Sequence, residues 1–322
     1  MAEAIIKVEN LKKHFPIQSS MPFRKSTQSV KAVDGVSFEV FRGETLGIVG
    51  ESGCGKSTMA RLINQLIRPT EGKVLFKGKD LAVMETKDIR AIRKSVQMVF
   101  QNPYASLDPR KTIKQLISEP LEIHKVGTKQ SRLERVHDLL EVVGLSSYHA
   151  DRYPHEFSGG QRQRINIARA LALNPDVIIC DEPVSALDVS VQAQVINLLK
   201  ELQRKFDLTY IFISHDLNVV RYMCDRIAVM YLGKVVEIGT YNEIYENPLH
   251  PYTKALLSAI PKESPYEQRE RILLRGDVPS PMNPPSGCHF HERCAFAMDV
   301  CRSERPELKQ NESNQRVACH LY

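Results

Sequence analysis

The 322 residues are too many for one small core, and 42% apolar with 25% charged residues is ordinary for a soluble globular protein. The net charge of +6, from 44 basic and 38 acidic residues, is mild and spread along the chain. It suits nucleotide phosphates or an anionic membrane surface no better than a plain solvated surface. No run approaches the roughly 18 to 20 apolar residues that cross a bilayer. Residues 1–11 are charged and lack a secretory apolar core, so the chain is expected in the cytoplasm, with any membrane role supplied through partners.

Taken in chain order, residues 5–8 and 36–40 read as strands separated by a polar extended loop over 16–29. Residues 44–50 form a buried strand ending in Gly, and 59–65 have helical character. Strand, Gly-rich turn and helix in that order make an α/β phosphate-binding unit. Residues 96–100 read as a strand. Residues 102–173 are richer in helical patterning, with helices predicted over 130–143 and 158–173, and look like an inserted helical subdomain. The apolar runs 177–180 and 210–214 are of the kind buried in a parallel sheet. Two short strands, 227–231 and 235–237, flank a turn at Gly233. Beyond Asn247 closely spaced prolines break regular structure, and a domain boundary is expected near Ile260. The expected organisation is therefore a main domain over 1–260 and a C-terminal extension over 261–322.

Gly50-Glu-Ser-Gly-Cys-Gly-Lys-Ser-Thr58 satisfies G-x-x-x-x-G-K-[ST]. Its glycines, Gly50, Gly53 and Gly55, let backbone N–H groups close around phosphates, with Ser52, Cys54 and Thr58 in the same wrap. Lys56 is predicted to reach the β- and γ-phosphates of ATP and Ser57 to ligate Mg²⁺. Cys54 reads as a tolerated small side chain, with a reactive thiolate as the alternative. Val177-Ile-Ile-Cys-Asp-Glu182 is an apolar strand ending in two carboxylates. Asp181 is placed to hold Mg²⁺ and Glu182 to polarise the attacking water.

Between them lies Ser158-Gly-Gly-Gln161, which resembles the signature motif of ATP-binding cassette (ABC) ATPases. A serine and a helix N-terminus present a hydroxyl, N–H groups and a dipole to an anion. The resemblance implies that Ser158, Gly159, Gly160 and Gln161 meet the γ-phosphate held by a second subunit. It also implies a Q-loop role for Gln101 towards Mg²⁺ and water, a dimer-crossing loop at Ser185-Ala-Leu-Asp188, and a switch histidine at His215 touching the γ-phosphate. Phe15 is the candidate for stacking on adenine, with a core phenylalanine as the alternative.

Phe100-Gln-Asn-Pro-Tyr-Ala-Ser-Leu-Asp-Pro109, Tyr153-Pro-His-Glu-Phe-Ser-Gly-Gly160 and Asn247-Pro-Leu-His-Pro-Tyr-Thr-Lys254 resemble the ATPase subunits of oligopeptide and dipeptide importers. The phosphate loop and the segment 180–190 look most like their OppF/DppF branch. The fold implied is a P-loop NTPase of the ABC type, with a mixed sheet core, a helical subdomain and a Cys-rich C-terminal extension. The partners implied are a paralogous ATPase, two transmembrane permease subunits and, indirectly, an extracytoplasmic peptide-binding protein, with no nucleic acid. Such a chain sits peripherally on the cytoplasmic face of the membrane. Rival readings are an ABC ATPase acting on nucleic acid and an importer ATPase for another solute such as nickel.

Of the seven cysteines, Cys54, Cys180 and Cys224 are scattered, whereas Cys288, Cys294, Cys301 and Cys319 crowd into the tail. In a reducing compartment such crowding suggests metal ligation more than disulfides. The spacing is looser than a zinc knuckle and resembles the extension of peptide-importer ATPases, some of which bind a [4Fe–4S] cluster. Four thiols suit that cluster or zinc, and unligated or disulfide-forming thiols are the alternative. His289, His291 and His320 are candidate substitute ligands.

Overall fold

Apolar side chains on one face of Ala4–Pro16 and Ser29–Phe41, among them Ile6, Val8, Leu11, Val36, Phe38 and Val40, bury against the core and draw the two strands into a long antiparallel pair. The computed structural model describes residues 3–17, 29–260, 271–311, 313 and 315–322. Both strands run further than the sequence suggests. Pro16 pairs with Ser29, so the polar segment expected as a loop starts and ends inside the ladder. Its central residues, 18–28, lie outside the described ones.

The chain divides into two units. The first takes in Met1–Phe41, Thr45–Val83 and His215–Tyr322. In it the long pair continues antiparallel through Glu71–Phe76 to the short strand Lys79–Asp80. Its second group of strands is ordered Lys309–Gln310, Arg316–Val317, Lys234–Thr240, Arg226–Tyr231 and Thr45–Val49. The last two pair in parallel and the others antiparallel, so the sheet is mixed. Thr45–Val49 is wholly buried, which is why it reads as an unbroken apolar run. The hairpin joining Arg226–Tyr231 to Lys234–Thr240 turns at Leu232 and Gly233, both with positive φ. Part of the C-terminal region is thus a strand partner of the sheet, through Glu237 opposite Val317.

The second unit takes in Arg42–Glu44 and Met84–Ser214. Val96–Val99, Val177–Asp181 and Thr209–Ile213 pair in parallel, the last two buried at every position. The helices Ile113–Ile123, Lys129–Val142 and Gly159–Leu171 pack on one another, and their Leu116, Ile117, Leu139, Leu140, Ile165 and Ile167 are fully or almost fully buried. Each such side chain contributes about 1.5–3 kcal/mol by leaving water. The helix predicted over 158–173 starts one residue later, because Ser158 is extended and serves as its N-cap.

Candidate nucleotide site

In the first unit, Thr45–Val49 runs into the phosphate loop and Lys56–Ile63 follows as a helix whose N-cap, Gly55, makes no side-chain capping bond. The helix therefore opens with N–H donors and a positive dipole end facing the loop. Gly55 has φ 108°, and a Cβ there would stand 2.1 Å from the Ala32 carbonyl oxygen, so only glycine allows the chain to close this way. Lys56 is 5% exposed. Its ammonium donates to the carbonyls of Gly50 at 2.8 Å and Glu51 at 2.9 Å, which folds the loop around the charge. Ser57 and Thr58 begin the helix, half-buried, while Ser52 and Gly53 are exposed.

Cys54 is buried, and burial pushes its thiol up, against the opposing pull of the Lys56 charge. Burial of this kind favours a tolerated small side chain over a reactive thiolate. Phe15 is 38% exposed, near the end of its strand, with the Lys13 ammonium 5.1 Å from its ring centroid. That exposure removes the alternative of a core phenylalanine. His215 is exposed, and the next residue, Asp216, caps Leu217–Met223 by accepting from Asn218 N at 2.8 Å.

In the second unit, Val177–Asp181 delivers Asp181, 4% exposed, at its C-terminal end. Glu182 follows with φ 47°. A non-glycine residue there costs about 1–2 kcal/mol, and such strain gathers at functional positions. It is held by Glu182 N donating to Ile213 O at 3.0 Å and by Ser185, whose hydroxyl donates to Glu182 O at 3.1 Å. The Gln101 amide donates to the Glu182 carboxylate at 2.8 Å, so the structure brings these two predicted residues together.

Ser158 opens Gly159–Leu171 with a reciprocal capping box. Its hydroxyl accepts from Gln161 N at 3.3 Å, and Gln161 Oε1 accepts from Ser158 N at 3.0 Å. At Gly160 a Cβ would lie 2.3 Å from Val191 Cγ1, so the glycine lets Val189–Phe206 approach this closely. The segment carrying Gln101 wraps the same helix. Arg162 sits 4.3 Å over the Tyr104 ring, and Arg169 donates to Ser106 O at 2.6 Å.

Around the phosphate loop the structure adds residues that the motifs did not single out. Glu51 N donates to the Tyr252 hydroxyl at 2.9 Å, and the Glu51 carboxylate takes both terminal nitrogens of Arg293. Tyr252 belongs to the importer-like segment 247–254, whose His250 is buried, pushed down to about 3 by that burial, and accepts from Tyr252 N to cap Pro251–Ser258. Arg293 carried no sequence signal beyond its place beside Cys294.

The four tail cysteines are free, and Cys288 is pushed up to about 11, chiefly by burial and further by the other three thiols. They are near enough to feel one another's charge, yet among the described residues no group of three or more His, Cys, Asp or Glu side chains is disposed to hold a metal ion. As arranged, the four do not fit a [4Fe–4S] cluster or zinc. His289 is occupied otherwise, with Nδ1 3.2 Å from Leu232 O and Nε2 beside Arg305.

Strand, phosphate loop and helix, together with the strand-end carboxylates and the capped Ser158 helix, define an ATP-binding cassette ATPase. Residues 33–185 match the ABC transporter family, and residues 236–301 match the oligopeptide/dipeptide transporter C-terminal region. The chain belongs to this family of oligopeptide and dipeptide transport ATP-binding proteins. It is 57% identical to the oligopeptide transport ATP-binding protein AppF of Bacillus subtilis, over 99% of this chain and 98% of that one. It is 54% identical to the dipeptide transport ATP-binding protein DppF of Haemophilus influenzae, over 96% and 94%. Among solved structures it is similar to the cassette MJ0796 in a dimeric post-hydrolysis state bound to ADP and Pi, at TM-score 0.65 and 31% identity over 73% of this chain and 98% of that one.

Proposed function

We propose that the chain is the ATP-hydrolysing subunit that powers import of oligopeptides or dipeptides. The observation that carries this reading is the 57% identity to AppF, which extends through the C-terminal region as well as the ATPase motifs. Among the described residues no helix is long and apolar enough to cross a membrane. The subunit would therefore work peripherally, at the cytoplasmic face, against two permease subunits and a paralogous ATPase, with peptide delivered by an extracytoplasmic binding protein.

The roles proposed follow from chemistry. Lys56 and the N–H groups of 50–58 bind the phosphates. The Ser57 hydroxyl and Asp181 carboxylate are the hard oxygen donors that Mg²⁺ takes, with Gln101 beside them in role. Bound Mg²⁺ would neutralise charge on the phosphate oxygens. Glu182, fixed by Gln101, orients the attacking water, and His215 donates to the γ-phosphate as charge develops there. Ser158, Gly159, Gly160 and Gln161 offer the helix N-terminus to the nucleotide of a partner cassette, and Phe15 stacks on adenine. The division into an ATPase domain over 1–260 and an extension over 261–322 belongs to the same proposal.

Thiol content and mutual electrostatic reach are all that support a [4Fe–4S] cluster or zinc on Cys288, Cys294, Cys301 and Cys319. Iron, sulfide and zinc analysis of anaerobically purified protein decides it. For the main reading, the chain co-purified with its permeases and binding protein should hydrolyse ATP in response to peptide. Lys56→Ala should abolish nucleotide binding, and Glu182→Gln should bind ATP and lose hydrolysis by about a hundredfold or more. Full hydrolysis in Glu182→Gln would remove the assigned base, and a peptide-indifferent complex would remove the cargo.

A further inference from the structure

The phosphate loop is held by the C-terminal region at one residue. Glu51, directly after Gly50, is gripped at three points. Its carboxylate accepts from Arg293 twice, Nη1 to Oε2 at 2.9 Å and Nη2 to Oε1 at 3.2 Å. Its N–H donates to the Tyr252 hydroxyl at 2.9 Å, and its carbonyl accepts from Lys56 Nζ at 2.9 Å. The Arg293 side chain is 9% exposed, and its guanidinium lies 5.9 Å from the centroid of Tyr231. Tyr231 in turn packs with Tyr252 and Phe290 at 4.7 and 5.2 Å between centroids. A solvent-exposed ion pair contributes little, but a two-pronged one drawn partly out of water, as here with Glu51 26% exposed, fixes geometry. Arg293 enters on the turn His291–Arg293, immediately after buried Phe290, so it is presented by a packed element rather than a loose one.

We propose that Arg293 is a positioning residue for the ATP reaction. It fixes Glu51, and through it the carbonyls that hold Lys56, so that the C-terminal region sets the affinity of the loop for nucleotide. Arg293 touches no reacting atom. The inference rests on reading residues 50–58 as the nucleotide site.

The test is titration of the full chain with a fluorescent ATP analogue, comparing the native protein with Arg293→Ala, Arg293→Lys, Glu51→Gln and the Glu51→Gln/Arg293→Ala double variant, with urea midpoints measured alongside. Lys56→Ala serves as the control. Losing a charged, partly buried and two-pronged hydrogen-bonded pair should weaken binding about tenfold in Arg293→Ala and in Glu51→Gln. The double variant should be no weaker than the worse single one, because both act through one contact. Lysine keeps the charge and loses one prong, so Arg293→Lys should recover part of the affinity. It also keeps the test open if the alanine variant fails to fold. A lowered urea midpoint with unchanged affinity, or additive losses in the double variant, overturns the proposal. Binding that survives Lys56→Ala overturns instead the assignment of the loop as the nucleotide site.

Discussion

Replacing Asp34 with asparagine should cost up to about 2.5 kcal/mol of stability at neutral pH, and that cost should shrink as the pH falls towards 2. Asp34 is 6% exposed, and three cationic groups and a histidine ring bear on it. Lys234 Nζ lies 3.4 Å away, Arg305 Nη1 3.1 Å and His14 Nε2 3.1 Å, with the Lys12 charge beyond. Burial by itself would raise the carboxyl, but Lys234, His14 and Arg305 together bring it from 3.8 to about 2. At about 1.4 kcal/mol per pKa unit that shift is at most about 2.5 kcal/mol, and solvent screening of the partly exposed partners reduces it. Because the folded value is depressed, the stabilisation is complete above the unfolded value near 3.8 and is lost as pH falls from about 5 towards 2. The chain has no Trp, so urea unfolding is best followed by circular dichroism, at pH 7, 5 and 3. Glu9, Glu71 and Asp108 are also held low by basic partners, so the quantity to plot is the difference between native protein and Asp34→Asn, in which they cancel. A difference that stays flat with pH, or is below about 0.5 kcal/mol at pH 7, refutes the argument that this network is a buried, net-stabilising one.

Two further outcomes are expected. Gly160→Ala should destabilise the protein by about 1–3 kcal/mol through the clash with Val191, and Val191→Ala in the same chain should restore most of the loss in a denaturation curve. In the native protein at pH 8, iodoacetamide should leave Cys54 unlabelled by mass spectrometry, because its thiol is buried and pushed up, and should label it once the chain is unfolded. Rapid labelling of native Cys54 would restore the reactive-thiolate reading.

Local chemistry determined much of this protein. The phosphate loop needs its glycines, lysine and hydroxyls in fixed order, and strands such as Val177–Asp181 announce themselves because burial on both faces leaves no polar position. Two capped helix starts were legible within a residue, after Thr128 and at Ser158, whereas the short helices capped by Asp216 and Thr240 were not. Long-range pairing was not legible. The extension of the first strands to Pro16 and Ser29 depends on cross-strand partners many residues away, and single-sequence periodicity carries no register. The left-handed Glu182, the grip of Arg293 and Tyr252 on Glu51, and the cations around Asp34 likewise join residues separated by up to 271 positions. Only the tertiary structure decided these, since the free energy of a buried charge or a strained φ is set by what folding places against it.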